Sequence, residues 1–193
     1  MVGVNDVAHP APSHSPAPTG AGVSVERARA SDVRAIKELV DFYAGPILLR
    51  KSLANLFEDV TEFWVARDER HGHPGSDPAP AVGCGALHVL WEDLGELRTI
   101  ATHPRARGRG VGRAVCEELF VEARRLGLTR LFVLTFEVDF FASLGFAPIG
   151  ELDLSQEAFA ELRSSYDAGV AEFLDLPYVK PNTLGNTRMI KHL

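Results

Sequence analysis

The sequence of 193 residues predicts one mixed α/β domain of the α+β kind, a largely antiparallel central sheet flanked by helices and carrying one parallel pair of strands. Three observations predict it. Apolar segments of strand length and of helix length interleave from Val23 to the C-terminus without an internal repeat. A composition 46% hydrophobic gives a chain of this size enough apolar surface for one substantial core. Between Gly95 and Leu126 a short strand, a glycine-rich loop and a long helical pattern follow one another directly, and a second apolar strand comes next, so a helix crosses over between two parallel strands.

Each element has its own signal. Residues 1–22 are rich in Pro, Ala, Ser, Gly and His and nearly lack large apolar side chains, so they predict a disordered tail, with the domain spanning 23–193. Val23 to Ala28 alternates as a strand, and Ser31 is placed to cap a helix whose buried face is Val33, Ile36, Val40 and Tyr43. Gly45-Pro46 breaks that helix, and Ser52 is placed to cap a second, short one through Phe57 and Val60. Phe63 to Ala66 and Val82 to Leu90 read as strands joined by a polar surface loop, 67–81. The long helix presents Val111, Val115, Leu119, Ala123 and Leu126 on one face. Leu131 to Thr135 is a nearly continuous apolar run, as a strand buried on both faces requires. A short helix follows through Phe140 and Leu144, then a strand from Phe146, a helix opened by Ser155 with Phe159, Leu162 and Tyr166, and an edge strand over Thr187 to Ile190.

Charge and cysteine usage narrow the chemistry. A net charge of −6 and an isoelectric point near 5.6 argue against nucleic acid, whose binding needs clustered Lys and Arg to neutralise phosphates. Arg105, Arg107, Arg109 and Arg113 form the one basic cluster, and beside a glycine loop it suits a phosphorylated small molecule. Cys84 and Cys116 lack metal-ligand spacing and read as reduced core residues. His9 and His14 in the tail, and His71 and His73 in a loop, read as solvated side chains, so no metal is expected. No apolar run of about eighteen residues and no export pattern is present, so the expected setting is the cytoplasm, away from any membrane.

The loop defines the site. Glycines at 108, 110 and 112 leave backbone N–H groups open to an anion seated over the positive end of the following helix. No Lys-Ser/Thr follows, which excludes a nucleotide P-loop, and the glycine spacing is one residue off the dinucleotide fingerprint. Arg107-x-x-Gly110-x-Gly112 resembles the Arg/Gln-x-x-Gly-x-Gly/Ala signature of the GNAT-type N-acetyltransferases, and Leu97-x-x-Ile100-Ala101-Thr102-His103-Pro104 and Phe140-Phe141-Ala142-Ser143-Leu144-Gly145-Phe146 have that family's order and spacing. The resemblance implies that Arg107, Gly108, Arg109, Gly110, Val111, Gly112 and Arg113 hold the pyrophosphate of acetyl-CoA. It also implies that strand 96–102 bulges away from strand 130–135, so that the pantetheine arm inserts between them against Ile100, Ala101 and Thr102.

Acetyl transfer to an amine needs a base, and Glu96, at the start of the donor-binding strand, is the candidate, acting through a relayed water. A carboxylate in a partly desolvated cleft becomes a better base. The bland alternative is a strand-end glutamate in solvent or paired with Arg98. The family's usual acid, a tyrosine before the Gly-Phe pair, is Phe141 here, which leaves Thr135 as the nearest hydroxyl for the leaving thiolate. Cys116 has no histidine placed to activate it, so direct attack in a ternary complex is expected over a covalent intermediate.

Longer phrases resemble the acetyltransferase domain of bacterial N-acetylglutamate synthases, and most closely their short stand-alone form in actinobacteria: Gly45 to Ser52, Gly83 to Leu87, Gly95 to Leu97, Leu131 to Thr135 and Tyr178 to Asn182. The kinase-like domain of the longer synthases has no counterpart in this sequence. The resemblance implies that the acceptor is L-glutamate or L-glutamine and the step the first of arginine biosynthesis. Lys51 would meet a substrate carboxylate with Arg50 beside it, and Thr99, through its backbone, and Thr187 would line the amino-acid pocket. An arginine used by the longer synthases is Gly185 here, so Arg98, Lys180 and Arg188 are further candidates for the carboxylate clamp. A bland reading of Arg50 and Lys51 is an ordinary solvated pair. Expected partners are small molecules, with a second copy of the chain as the one protein partner allowed for. Two rivals stand beside this reading: transfer to another small amine or a protein N-terminus, and a CoA-binding regulatory module without turnover.

Overall fold

A computed structural model of the chain describes residues 22–45, 48, 50–71, 79–150, 154–165 and 185–193. The expected tail up to residue 21, the break at Pro46, and Tyr166, Lys180 and the Tyr178 to Asn182 phrase lie outside the described residues. Among the described residues seven strands form one sheet in the order β1 (Val23–Arg27), β2 (Phe63–Asp68), β3 (Ala81–Trp91), β4 (Leu94–Thr102), β5 (Arg130–Thr135), β7 (Thr187–His192), β6 (Ala147–Pro148). Every adjacent pair is antiparallel except β4 with β5, which α3 (Val111–Arg125) joins by a crossover. The mixed, mostly antiparallel sheet expected from the sequence is therefore present.

Helices cover both faces. α1 (Val33–Asp41) and α2 (Leu53–Glu58) bury Val33, Ile36, Leu39, Val40 and Leu56 against Phe63, Val65, Cys84 and Ala86. α3 lays Val111, Val115, Cys116, Leu119 and Ala123 against the opposite face. Strand alternation separates the two cores: Phe63 and Val65 face one, Trp64 and Ala66 the other. α3 can lie that close because β3 carries glycine at two contact points. A Cβ on Gly83 would stand 2.6 Å from Val111, and one on Gly85 2.7 Å from Val115. α4 (Val138–Ala142) packs Phe141 beside α3, and α5 (Gln156–Leu162) covers Phe132, Leu90 and Leu94 at the far end of the sheet.

Several local expectations need correction. Ser31 caps no helix: a 3₁₀ turn, Ala30–Asp32, precedes α1, and Asp32 Oδ2 accepts the Arg29 N–H at 2.8 Å. Ser52 and Ser155 do cap α2 and α5, accepting from Asn55 N at 3.1 Å and Ala158 N at 3.0 Å. Leu126 lies past the last turn of α3 and is exposed. β7 is not an edge strand, because the two-residue β6 pairs along its outer side.

The site is opened by one irregularity. Cys84 opposes Ala101 and Ala86 opposes Arg98, so Thr99 and Ile100 together face the single residue Gly85. This is a β-bulge, and Thr99 holds it with φ 59°, the one non-glycine positive φ among the described residues. β4 pairs with β5 only through Leu94, Gly95 and Glu96. Beyond Glu96 the two strands part.

Candidate active site

The parting of β4 and β5 is the mouth of a cleft of about 1180 Å³. Ile100, Ala101 and Thr102 line one wall and Val133, Leu134 and Thr135 the other. One end is a built anion cradle. Gly108 and Gly110 adopt φ 72° and 75°, conformations that a side chain would strain, and they turn the chain so that α3 begins with no side chain over its first N–H groups. Gly112 is in the ordinary range of backbone conformation, and a Cβ there would only touch Phe140 at 3.4 Å and the Thr102 hydroxyl at 3.5 Å, so what its bare Cα does is leave the space over the first turn of α3 open. Arg107, Gly108, Gly110, Val111, Gly112 and Arg113 all line this end. Arg107 lies over the Tyr43 ring at 6.0 Å, and Arg113 is steadied by the Ser143 hydroxyl at 2.9 Å.

Arg109, expected among these, turns elsewhere. Its Nη2 donates to Asp68 Oδ2 at 2.9 Å, and Asp68, only 2% exposed, also accepts from Arg70 Nε at 3.2 Å. The side chain ties the loop to β2, and Arg109, unlike Gly108 and Gly110 on either side, does not line the cleft. Tyr43, which reads in the sequence as one more core position, donates its hydroxyl to the Thr102 carbonyl at 2.6 Å and pins the end of the bulged strand.

The other end of the cleft carries charge of both signs. Arg50, Lys51, Arg98 and Thr99 line it together with Asn55, Glu58 and Asp59. Lys51 Nζ stands 2.9 Å from Asp59 Oδ2, and Arg98 Nη2 2.8 Å from Glu62 Oε2, so both cations arrive already oriented. Asp59, Glu62 and Asn55 escaped the sequence reading, since acidic and amide residues on a short helix and its exit turn look like a solvated face. Thr187 does not line the cleft. It opposes Thr135 across β5 and β7, and its neighbour Asn186 lines the cleft.

Glu96 occupies the last rung at which β4 and β5 still pair, opposite Phe132, and it is 7% exposed. It lines the cleft where the strands begin to part. Thr135 ends β5; its Oγ1 accepts the Glu137 N–H at 2.9 Å, which leaves its own proton available for donation. Phe141 is 4% exposed, edge-on to Phe140 and Phe146, and offers the cleft an apolar surface. Cys84 and Cys116 are fully buried free thiols, and burial pushes both up to about 12, so neither is a nucleophile at neutral pH. No cluster able to hold a metal ion occurs among the described residues.

Known proteins share this arrangement. Residues 33–147 match the acetyltransferase (GNAT) family. An amino-acid acetyltransferase of Mycobacterium tuberculosis is 57% identical over 166 residues, covering 86% of this chain and 92% of its own length. The amino-acid acetyltransferase of Escherichia coli K12 is 28% identical over 72% of this chain but only 30% of its own. Among solved structures, a Mycobacterium tuberculosis protein in complex with CoA and NLQ superposes with a TM-score of 0.80 at 57% identity, over 88% of this chain and 98% of its own. N-acetylglutamate synthase from Neisseria gonorrhoeae, complexed with coenzyme A and N-acetyl-glutamate, gives 0.66 at 25% identity, over 89% of this chain and 35% of its own. An anion cradle at a helix start, a bulged strand parted from its parallel neighbour, and these relatives agree: the chain belongs to the acetyltransferase (GNAT) family.

Proposed function

We propose that the protein transfers the acetyl group of acetyl-CoA to the α-amine of L-glutamate or L-glutamine, the first step of arginine biosynthesis, by direct attack within a ternary complex. One observation carries the reading. A single cleft joins an anion cradle, the open start of α3 with Arg107 and Arg113, to an amino-acid end holding Lys51 and Arg98, and Glu96 lies between the parting strands. The 57%-identical amino-acid acetyltransferase and the CoA complex support it.

In this reading the N–H groups from Gly110 to Arg113 and the two arginines hold the pyrophosphate, and β4 and β5 take the pantetheine arm between them. The acceptor's carboxylate end meets Lys51 and Arg98. Glu96 withdraws a proton from the ammonium through a water, which frees the nitrogen lone pair to attack the thioester carbonyl. The tetrahedral oxyanion meets backbone N–H groups of β4 near the bulge, the nitrogen gives up its second proton to solvent, and collapse breaks the C–S bond and expels the thiolate of CoA, to which Thr135 donates a hydrogen bond. Phe141 packs against the arm where a tyrosine would have donated. Both substrates are free metabolites, so we place the reaction in the cytoplasm.

The test is thiol release from acetyl-CoA with glutamate, glutamine, aspartate, lysine and spermidine offered in parallel. Turnover confined to glutamate or glutamine is expected. CoA binding without turnover on any amine would replace the enzyme by a CoA-responsive regulator, and turnover on spermidine would move the acceptor to polyamines.

A further inference from the structure

Glu62 and His88 have no part in the chemistry above, yet they hold one of its cations. Arg98 leaves β4 into the acceptor end of the cleft with a side chain only 10% exposed. A guanidinium there has five donors and several conformers, and its usefulness depends on which conformer is populated. Its Nη2 is engaged by Glu62 Oε2 at 2.8 Å and by His88 Nδ1 at 3.0 Å, with Asp59 Oδ2 at 3.9 Å. The second oxygen of Glu62 reaches His88 Nδ1 at 2.8 Å. That nitrogen can serve only one of them, as donor to Glu62 or as acceptor from Arg98, so the two His88 bonds are alternatives while the Glu62–Arg98 bond stands in either tautomer.

Each corner comes from a different element. Glu62 ends the 3₁₀ turn Val60–Glu62 that enters β2, His88 lies on β3 directly opposite Glu96, and Arg98 precedes the bulge on β4. Burial opposes the charge on Glu62, but the His88 hydrogen bond and the Arg98 charge outweigh it and hold the carboxyl below its usual range. Glu62 and His88 also border a separate hollow of about 230 Å³ with Arg27, Thr61 and Trp64, so shortening Glu62 does not excavate a packed core.

We infer that Glu62 is a positioning residue for the acceptor: with His88 it fixes the Arg98 guanidinium at the carboxylate end of the cleft. This rests on the acceptor reading above, and the two can fail separately. Steady-state kinetics are compared for Glu62→Ala, Glu62→Gln, Arg98→Ala and the double variant Glu62→Ala/Arg98→Ala. Glu62→Ala is expected to raise the acceptor KM roughly tenfold, the scale of coupling within one ion-pair network, with the acetyl-CoA KM unmoved. Glu62→Gln, which keeps the shape and an acceptor oxygen, recovers part of that loss and guards against a folding defect in the alanine variant. In the Arg98→Ala background the Glu62 effect disappears. If Arg98→Ala raises the acceptor KM and Glu62→Ala does not, or if the two losses simply add, the inference is overturned while the acceptor reading stands. An unchanged acceptor KM in Arg98→Ala overturns both.

Discussion

Taking a proton from an ammonium in a closing cleft needs an acceptor that keeps its place while water leaves. In the proposed reaction Glu96 is that acceptor, and its backbone is paired on both sides, to His88 on β3 and to Phe132 on β5, while the next residues of β4 part from β5. We expect Glu96→Gln, equal in size and unable to take a proton, to lower kcat by roughly 10²–10⁴, the usual span for losing a general base, with CoA affinity nearly unchanged. Wild-type rates across the pH range would remove Glu96 from the mechanism. Lys51 is oriented by Asp59 at 2.9 Å, so Lys51→Ala removes a cation and leaves a carboxylate facing the acceptor. Its acceptor KM should rise about tenfold or more, as the loss of a charged hydrogen bond allows, and an unchanged value would return Lys51 to the surface. Both candidates stand out in the sequence because the motif phrases around them are local. Glu62 and His88 could not, because they meet across 26 residues of chain with nothing in either neighbourhood to announce the other.

At the scale of the element, the glycine loop and the bulge show what a sequence does and does not disclose. The loop was legible because φ values of 72° and 75° demand glycine, and glycine stands at 108 and 110. The bulge left no mark in residue type and was expected only through the family resemblance: Thr99 takes φ 59° with a β-branched side chain, and which residue is extra is apparent only against Gly85 on the partner strand. The loop's tether was equally hidden, since Arg109 reads as one more phosphate ligand until Asp68 is seen beneath it. A fixed loop presents its N–H groups already aimed, so Asp68→Ala should raise the acetyl-CoA KM by roughly tenfold, a charge-assisted contact's worth, and leave the acceptor KM alone. Removing one partner of a buried pair also destabilises, by about 3 kcal/mol. Titration with CoA and a thermal melt check the two effects, and an acetyl-CoA KM that stays put in a folded variant would reduce Asp68 to a structural ion.

Across the whole molecule the two faces of the sheet carry separate duties, and acid should reveal the division. Glu62, on the side of α1 and α2, is held low because His88 and Arg98 outweigh the burial that opposes its charge. Glu122, on α3, is held low first by its hydrogen bond from Arg125 and further by Arg27 of β1, against a smaller opposing effect of burial. For both, the folded carboxyl titrates below the unfolded reference near 4.5. The unfolded chain therefore takes up protons first, and the stability each group contributes is complete above that reference and is lost as pH falls through the lower, folded value. Thermal midpoints measured from pH 7 down to pH 3 should accordingly hold level and then fall. Glu122→Gln should lower the plateau and flatten the acid limb while leaving the acceptor and acetyl-CoA KM values as they are, because Glu122 ties β1 to α3 and, although it borders the same small hollow as Glu62, neither it nor Arg27 lines the cleft. Glu62→Gln should flatten the same limb and raise the acceptor KM as well. The same kind of ion pair thus serves stability alone on one face and stability with recognition on the other, and a pair of variants with equal kinetics would contradict that assignment.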